Sequence, residues 1–154
     1  MTRFFFDTEF IDDGKTIDLI SIGFVAEDGR EYYAESQDCD LSRAGPWVKV
    51  NVLPHLVGPK LTRGQIAADL INFAGRDPEF WAWFASYDWV ALCQLFGPMV
   101  DLPANWPMYC LDVRQLMHAA GDPEIIKPPK THNALHDARW TRDVWRQLQG
   151  QSHA

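Results

Sequence analysis

Apolar and polar positions alternate in strand fashion through the first part of the chain and shift to helical spacing further on. Residues 3–10, 17–26 and 30–35 are three strand-like runs, and Glu27-Asp28-Gly29 between the last two supplies the Asp-Gly signal of a hairpin. Thr62 stands as an N-cap before Ile66, Ala67, Leu70, Ile71, Phe73 and Ala74, an apolar helical stripe that ends at Gly75. Residues 80–85 are almost wholly apolar and predict a strand covered on both faces. A second helix is expected from Asp88 to the stop at Gly97-Pro98, a strand over 108–111, and a third helix over about 112–120. A loop carrying Lys127-Pro128-Pro129-Lys130 leads into a final helix over about 133–148. Residues 36–60 leave a short helix and an irregular crossing both open.

Hairpin strands followed by alternating helices and strands predict an α/β fold, a mixed sheet with antiparallel N-terminal strands and helices on its faces. A chain of 154 residues suits one domain, taken as 1–148, with a frayed tail over 149–154. The 47% hydrophobic and 23% charged fractions exclude wholesale disorder. No apolar run is long enough for a membrane span and no secretory leader is evident, so a cytoplasmic location is expected. Cys39, Cys93 and Cys110 are odd in number and lack paired metal spacing, which predicts reduced thiols.

The first strand conflicts with its own apolar setting, because Phe4-Phe5-Phe6-Asp7-Thr8-Glu9-Phe10 places two carboxylates in a Phe-rich run. Alternation puts Asp7 and Glu9 on one face and Phe6, Thr8 and Phe10 on the other. Like charges side by side in apolar surroundings need a counter-charge. Between Arg3 and Lys15 the sequence offers no cation, so a hard divalent ion held by carboxylate oxygen is the natural candidate. The formal net charge of −7 argues against tight non-specific binding of long duplexes. It does not exclude an enzyme that grips a short end, because bound divalent ions reverse the local charge.

Further along, Asp88 sits at a strand-to-helix junction, where an N-cap is the plain reading, and Asp112 at another, where a structural cap is expected. His132 marks the start of the last helix and Asp137 lies more than one turn into it, so both can look toward one point. His132 and His136 are four apart, a spacing that suits zinc, but no glutamate lies between them.

Taken together, Asp7-Thr8-Glu9, Asp88, and His132 with Asp137 five residues later resemble the DEDDh 3′-to-5′ exonucleases of the RNase H-like superfamily, relatives of ribonuclease T and oligoribonuclease. Within that family the words Phe-Asp-Thr-Glu-Phe and His-Asn-Ala-Leu-His-Asp-Ala are most similar to the small bacterial polyadenylate-specific 3′-exoribonucleases. The chain departs from the family where many members have His-Asn upstream of the third acid, since Trp83-Phe84-Ala85-Ser86-Tyr87 precedes Asp88 here. The resemblance implies two Mg²⁺ ions, or Mn²⁺ in their place, on Asp7, Glu9, Asp88 and Asp137, with His132 as general base. It implies release of nucleoside 5′-monophosphates from single-stranded RNA 3′ ends or overhangs, with an adenylate preference, by a homodimer. Phe10, Ile11 and Tyr87 are expected as walls for the terminal nucleotide and Lys130 as a phosphate contact; Lys127, Arg139 and Arg142 could serve likewise, although a solvated face is the plainer reading. A DNA 3′-exonuclease and a catalytically silent RNase H-like binding module are the alternatives.

Overall fold

In the computed structural model, which describes residues 1–151, six strands form one sheet in the order β4-β3-β2-β1-β5-β6. β1 (Thr2–Asp12), β2 (Ile17–Ala26) and β3 (Glu31–Ser36) form the expected antiparallel meander. The hairpin between β2 and β3 closes through Gly29, whose φ of 95° is the left-handed value its Asp-Gly turn requires. β4 (Lys60–Leu61) adds to β3 in parallel, β5 (Pro78–Ala82) adds to β1 in parallel, and β6 (Leu111–Asp112) extends β5.

Five α-helices complete the fold: α1 (Pro46–Asn51), α2 (Arg63–Ala74), α3 (Ala85–Gln94), α4 (Val113–Ala119) and α5 (Ala134–Gln151). α1, flanked by two single 3₁₀ turns, resolves the segment that the sequence left open. Thr62 caps α2 in a reciprocal capping box with Gln65, and Gly75 follows its last turn. Asp112 caps α4 by accepting from Arg114 N at 2.8 Å.

Three boundaries differ from expectation. The strand expected over 80–85 stops at Ala82, and the chain turns at Phe84 so that Ala85 already begins α3. Asp88 therefore lies in the first turn of that helix and is not its N-cap. The strand expected over 108–111 shrinks to the two residues of β6, because only these reach the edge of β5. α5 continues through Gln151, so residues 149–151 are helical and 152–154 lie outside the described residues.

Both faces of β1 are covered, which accounts for three consecutive phenylalanines in one strand. Phe4 and Phe6 enter a core with Ile22, Phe24, Ile66, Leu70 and Leu92 beneath α2 and α3. Phe5 points the other way, into a second core with Val113, Val144, Trp145 and Leu148 of α4 and α5. All three rings are fully buried, each worth about 1.5–3 kcal/mol of transfer free energy. Cys39 and Cys93 are buried and Cys110 half-buried, all as free thiols.

The start of α5 comes close against the sheet at Gly23, which pairs with Asp7 across the β1–β2 ladder. A Cβ added there would stand 2.4 Å from Leu135 N, in the first turn of α5. The absent side chain is thus what lets the start of α5 rest on the sheet. Gly23→Ala is expected to cost at least about 2 kcal/mol by forcing α5 outward, lowering Tm by about 4–8 °C in thermal melts.

Candidate active site

The acids gather where the sheet runs out. β1 continues past the end of β5, so from Thr8 onward its backbone on that side has no strand partner. Asp88 fills the gap: its Oδ1 accepts from Thr8 N at 2.9 Å and from Thr8 Oγ1 at 2.5 Å. Thr8 faces away from Asp7 and Glu9, as alternation requires, and for that reason meets α3 on its own face. No local pattern marks Thr8 as the residue that holds the third acid, since the pairing spans 80 positions.

Asp137 arrives from the opposite face. Asn133 caps α5, its Oδ1 accepting from Leu135 N at 3.1 Å and His136 N at 3.2 Å, while its Nδ2 reaches the carbonyl of His55 at 3.4 Å. This anchor sets His132 just ahead of the helix and Asp137 in its first turn. Ligand atoms of Glu9, His132 and Asp137 lie within 4.8 Å of one another, a group that could hold a metal ion.

The electrostatics of this basin are dominated by burial. Burial raises the Asp7 carboxyl well above its ordinary range, with further push from Asp88, Asp137 and Glu9. Glu9 is pushed up to about 8 by burial and then by Asp137 and Asp88. Asp88 rises to about 7, burial outweighing the two hydrogen bonds from Thr8. Asp137 rises to about 6 by burial, against a backbone hydrogen bond from Asn133. Among the described residues no lysine or arginine lines the cavity that contains these acids. Hard oxygen donors, crowded and short of counter-charge, fit a divalent cation of the Mg²⁺ or Mn²⁺ type.

The cavity measures about 500 Å³ and has an acidic floor with aromatic walls. Phe10, Trp47, Trp83, Phe84, Ile125, Pro128 and Trp140 line it beside Asp7, Glu9, Asp88, His132 and Asp137. Phe10 stays on the Thr8 face of β1, and its pairing with Leu19 skips Ile20, so the bulge at this point lies in β2. Ile11 is buried with the bulged Ile20 and with Cys39, Ala44 and Val52, so it is core and not a wall of the cleft. Tyr87 stacks on Phe10 at 5.8 Å but stands outside the lining. Lys130 is exposed and also outside it, although Pro128 and His132 on the same segment take part. Arg139 is committed to a bidentate pair with Glu31 at 2.7 and 2.6 Å, and Arg142 pairs with Asp143.

Sequence reasoning missed Trp47, Trp83, Phe84, Ile125, Pro128 and Trp140 as lining residues. Trp83 and Phe84 read as strand interior, and only their adjacency to Asp88 pointed to the site. Trp47 touches His132 edge-on at 4.8 Å, a contact between elements whose relative placement no local pattern encodes.

The sheet order and the acids at its unpaired end define an RNase H-like nuclease fold. A solved structure of exonuclease I matches with a TM-score of 0.71 over 97% of this chain and 42% of that protein, at 13% identity, a likeness of fold. The 3′-5′ exoribonuclease Rv2179c-like domain model matches residues 2–149, and the chain belongs to that family. It is 52% identical over 146 residues to the 3′-5′ exoribonuclease Rv2179c of Mycobacterium tuberculosis strain H37Rv, covering 89% of this chain and 87% of that protein. The match to 3′-5′ exoribonuclease MT2234.1 of M. tuberculosis strain CDC 1551 has the same extent.

Each raised carboxyl holds its proton more tightly in the folded than in the unfolded chain. The contribution of these four groups to metal-free stability is therefore greatest below the ordinary carboxylate range and is expected to fall as pH rises from about 4 toward about 8. Asp7→Asn removes one of the crowded charges and should raise the metal-free Tm at pH 7.5 by about 2–6 °C, while reducing the gain in Tm on adding Mg²⁺. Thermal melts across pH, with and without chelator, check both expectations. Thr8→Val should leave the fold intact and weaken Mn²⁺ affinity by about tenfold in calorimetry, because Asp88 loses its hydroxyl donor.

Proposed function

We propose that this protein is a two-metal-ion 3′-to-5′ exoribonuclease that releases nucleoside 5′-monophosphates from single-stranded RNA ends or 3′ overhangs. The observation that carries the reading is the convergence of Glu9, His132 and Asp137 within 4.8 Å, beside Asp7 and Asp88 in one cavity. The names of the mycobacterial relatives, at 52% identity, favour RNA over DNA as the polymer.

Asp7, Glu9, Asp88 and Asp137 would hold two Mg²⁺ ions, with Mn²⁺ able to substitute. Divalent cations bound there supply Lewis acidity, lowering the pKa of a water and neutralising charge on the departing 3′ oxygen. His132 takes the proton from the attacking water on a ring nitrogen as the new P–O bond forms and the bond to the 3′ oxygen breaks. Its exposed ring, set against the edge of Trp47, can reach a scissile phosphate entering from solvent. Thr8 keeps Asp88 turned toward the acidic floor, and Phe10, backed by Tyr87, offers a wall for the terminal nucleotide. Residues 1–148 form the catalytic unit, and the same reading carries a homodimer, a cytoplasmic location and an adenylate preference.

The test is product analysis with Mg²⁺ on RNA bearing a 3′ overhang, beside blunt RNA and matched DNA. Mononucleotides from the overhang, lost with chelator and with Asp7→Asn, are the expected result; faster release from DNA would move the assignment to a DNA exonuclease. His132→Ala should keep Mn²⁺ binding and lower turnover by at least about 100-fold.

A further inference from the structure

The acids and His132 have roles in this reading, but Phe84 does not, and Phe84 breaks three local rules at once. Its backbone is left-handed, with φ 53° and ψ 50°, a conformation that bulky L-residues rarely adopt. The other described non-glycine residues of positive φ, Asp77 and Asp122, are of a type that tolerates it. Phe84 is also the N-cap of α3 and offers no side-chain acceptor there. Finally, its ring is 63% exposed, so burial gives little return for the strain.

The surrounding structure frees this position from structural duty. Asp112 accepts from Ala85 N at 3.1 Å and so supplies a cap that residue 84 does not. Trp83 beside it is fixed edge-on to Trp140 at 4.8 Å, and Trp140 is pinned through Nε1 to the carbonyl of Ile126 at 3.0 Å. Phe84 meets Trp83 at 5.4 Å and presents the rest of its ring to the cavity, one helical turn ahead of Asp88. Local rules are broken where a side chain is needed in a place that folding alone would not choose.

We propose that Phe84 is a stacking platform for the base of the 3′-terminal nucleotide, kept in a strained backbone conformation so that its ring borders the cavity. The inference rests on the exoribonuclease reading and adds a substrate-binding residue to it. An aromatic face accepts any base and discriminates only by stacking area, so purines gain more than pyrimidines. A preference for purines over pyrimidines then needs no hydrogen-bonding pocket.

The experiment compares Phe84 and Phe84→Asn in an Asp7→Asn background that binds RNA without cleaving it. Asparagine suits both a left-handed backbone and an N-cap, so the substitution is expected to raise Tm. It should also weaken binding of a short oligoribonucleotide ending in 2-aminopurine by about tenfold and relieve the quenching of that base, whereas Phe84→Tyr preserves both. With an abasic 3′ terminus the two proteins should bind alike. Equal affinity for the base-bearing oligomer, an equal loss on the abasic one, quenching only when the probe is penultimate, or a fall in Tm overturns the proposal. Failure of the exoribonuclease reading would show separately, as wild-type protein that releases no mononucleotide from RNA with Mg²⁺.

Discussion

The first turn of α5 rests backbone to backbone on β2, and Gly23 is the residue that permits it. From that contact the helix runs along β1 in matched steps, since four residues of helix rise about 6 Å and two residues of strand about 6.6 Å. Trp145 accordingly meets Phe5 at 5.4 Å in the core while Asp137 meets Glu9 at the open end. One register thus serves both packing and chemistry. A helix held a few ångströms farther out would lose the aromatic contact and the acid cluster together.

The acid cluster works against the fold that assembles it. Burial is the largest cause of the raised carboxyl affinities at Asp7, Glu9, Asp88 and Asp137, and mutual repulsion adds to it at the first two. The opposing free energy comes from the two cores that sandwich β1, where Phe4, Phe5 and Phe6 are fully buried. The Phe-rich strand and its carboxylates are therefore one design: the apolar half secures a strand that its charged half would destabilise. A cation binding between the acids relieves the conflict without altering the packing.

Much of this was legible in the chain. Periodicity and apolar runs located β1 to β3, α2 and the body of α5, because each has a long apolar pattern bounded by polar or turn residues. Asp7 and Glu9 were legible from residue type and spacing; Asp88, which by itself reads as a cap, joined them with His132 and Asp137 only through the family resemblance, and the fold brings all five to one cavity. What local pattern could not supply were facts made by tertiary contact. Ile11, expected beside Phe10 as a wall, is instead buried by Cys39, Ala44 and Val52 of a segment distant in sequence. Arg139 looked free for phosphate until β3 placed Glu31 opposite it, 108 positions away in sequence. The apolar run before Asp88 concealed the turn at Phe84, since a left-handed phenylalanine carries no compositional mark.

Asp112 has a consequence for how the molecule can move. One carboxylate receives Ala85 N from the start of α3 and Arg114 N from the start of α4, so the two helices share a rivet. Displacing α3 relative to α4 would unseat both helix starts. The strap over 122–133 is in turn stitched to α5 through Ile126 N to Gln147, Gln147 to the carbonyl of Glu124, and Trp140 to the carbonyl of Ile126. Of the cleft walls, Phe84 thus belongs with the α3–α4 pair, and Ile125, Pro128 and Trp140 with the strap and α5. These ties are all internal to the chain, so the spacing of those walls is set by the fold and does not wait for a ligand.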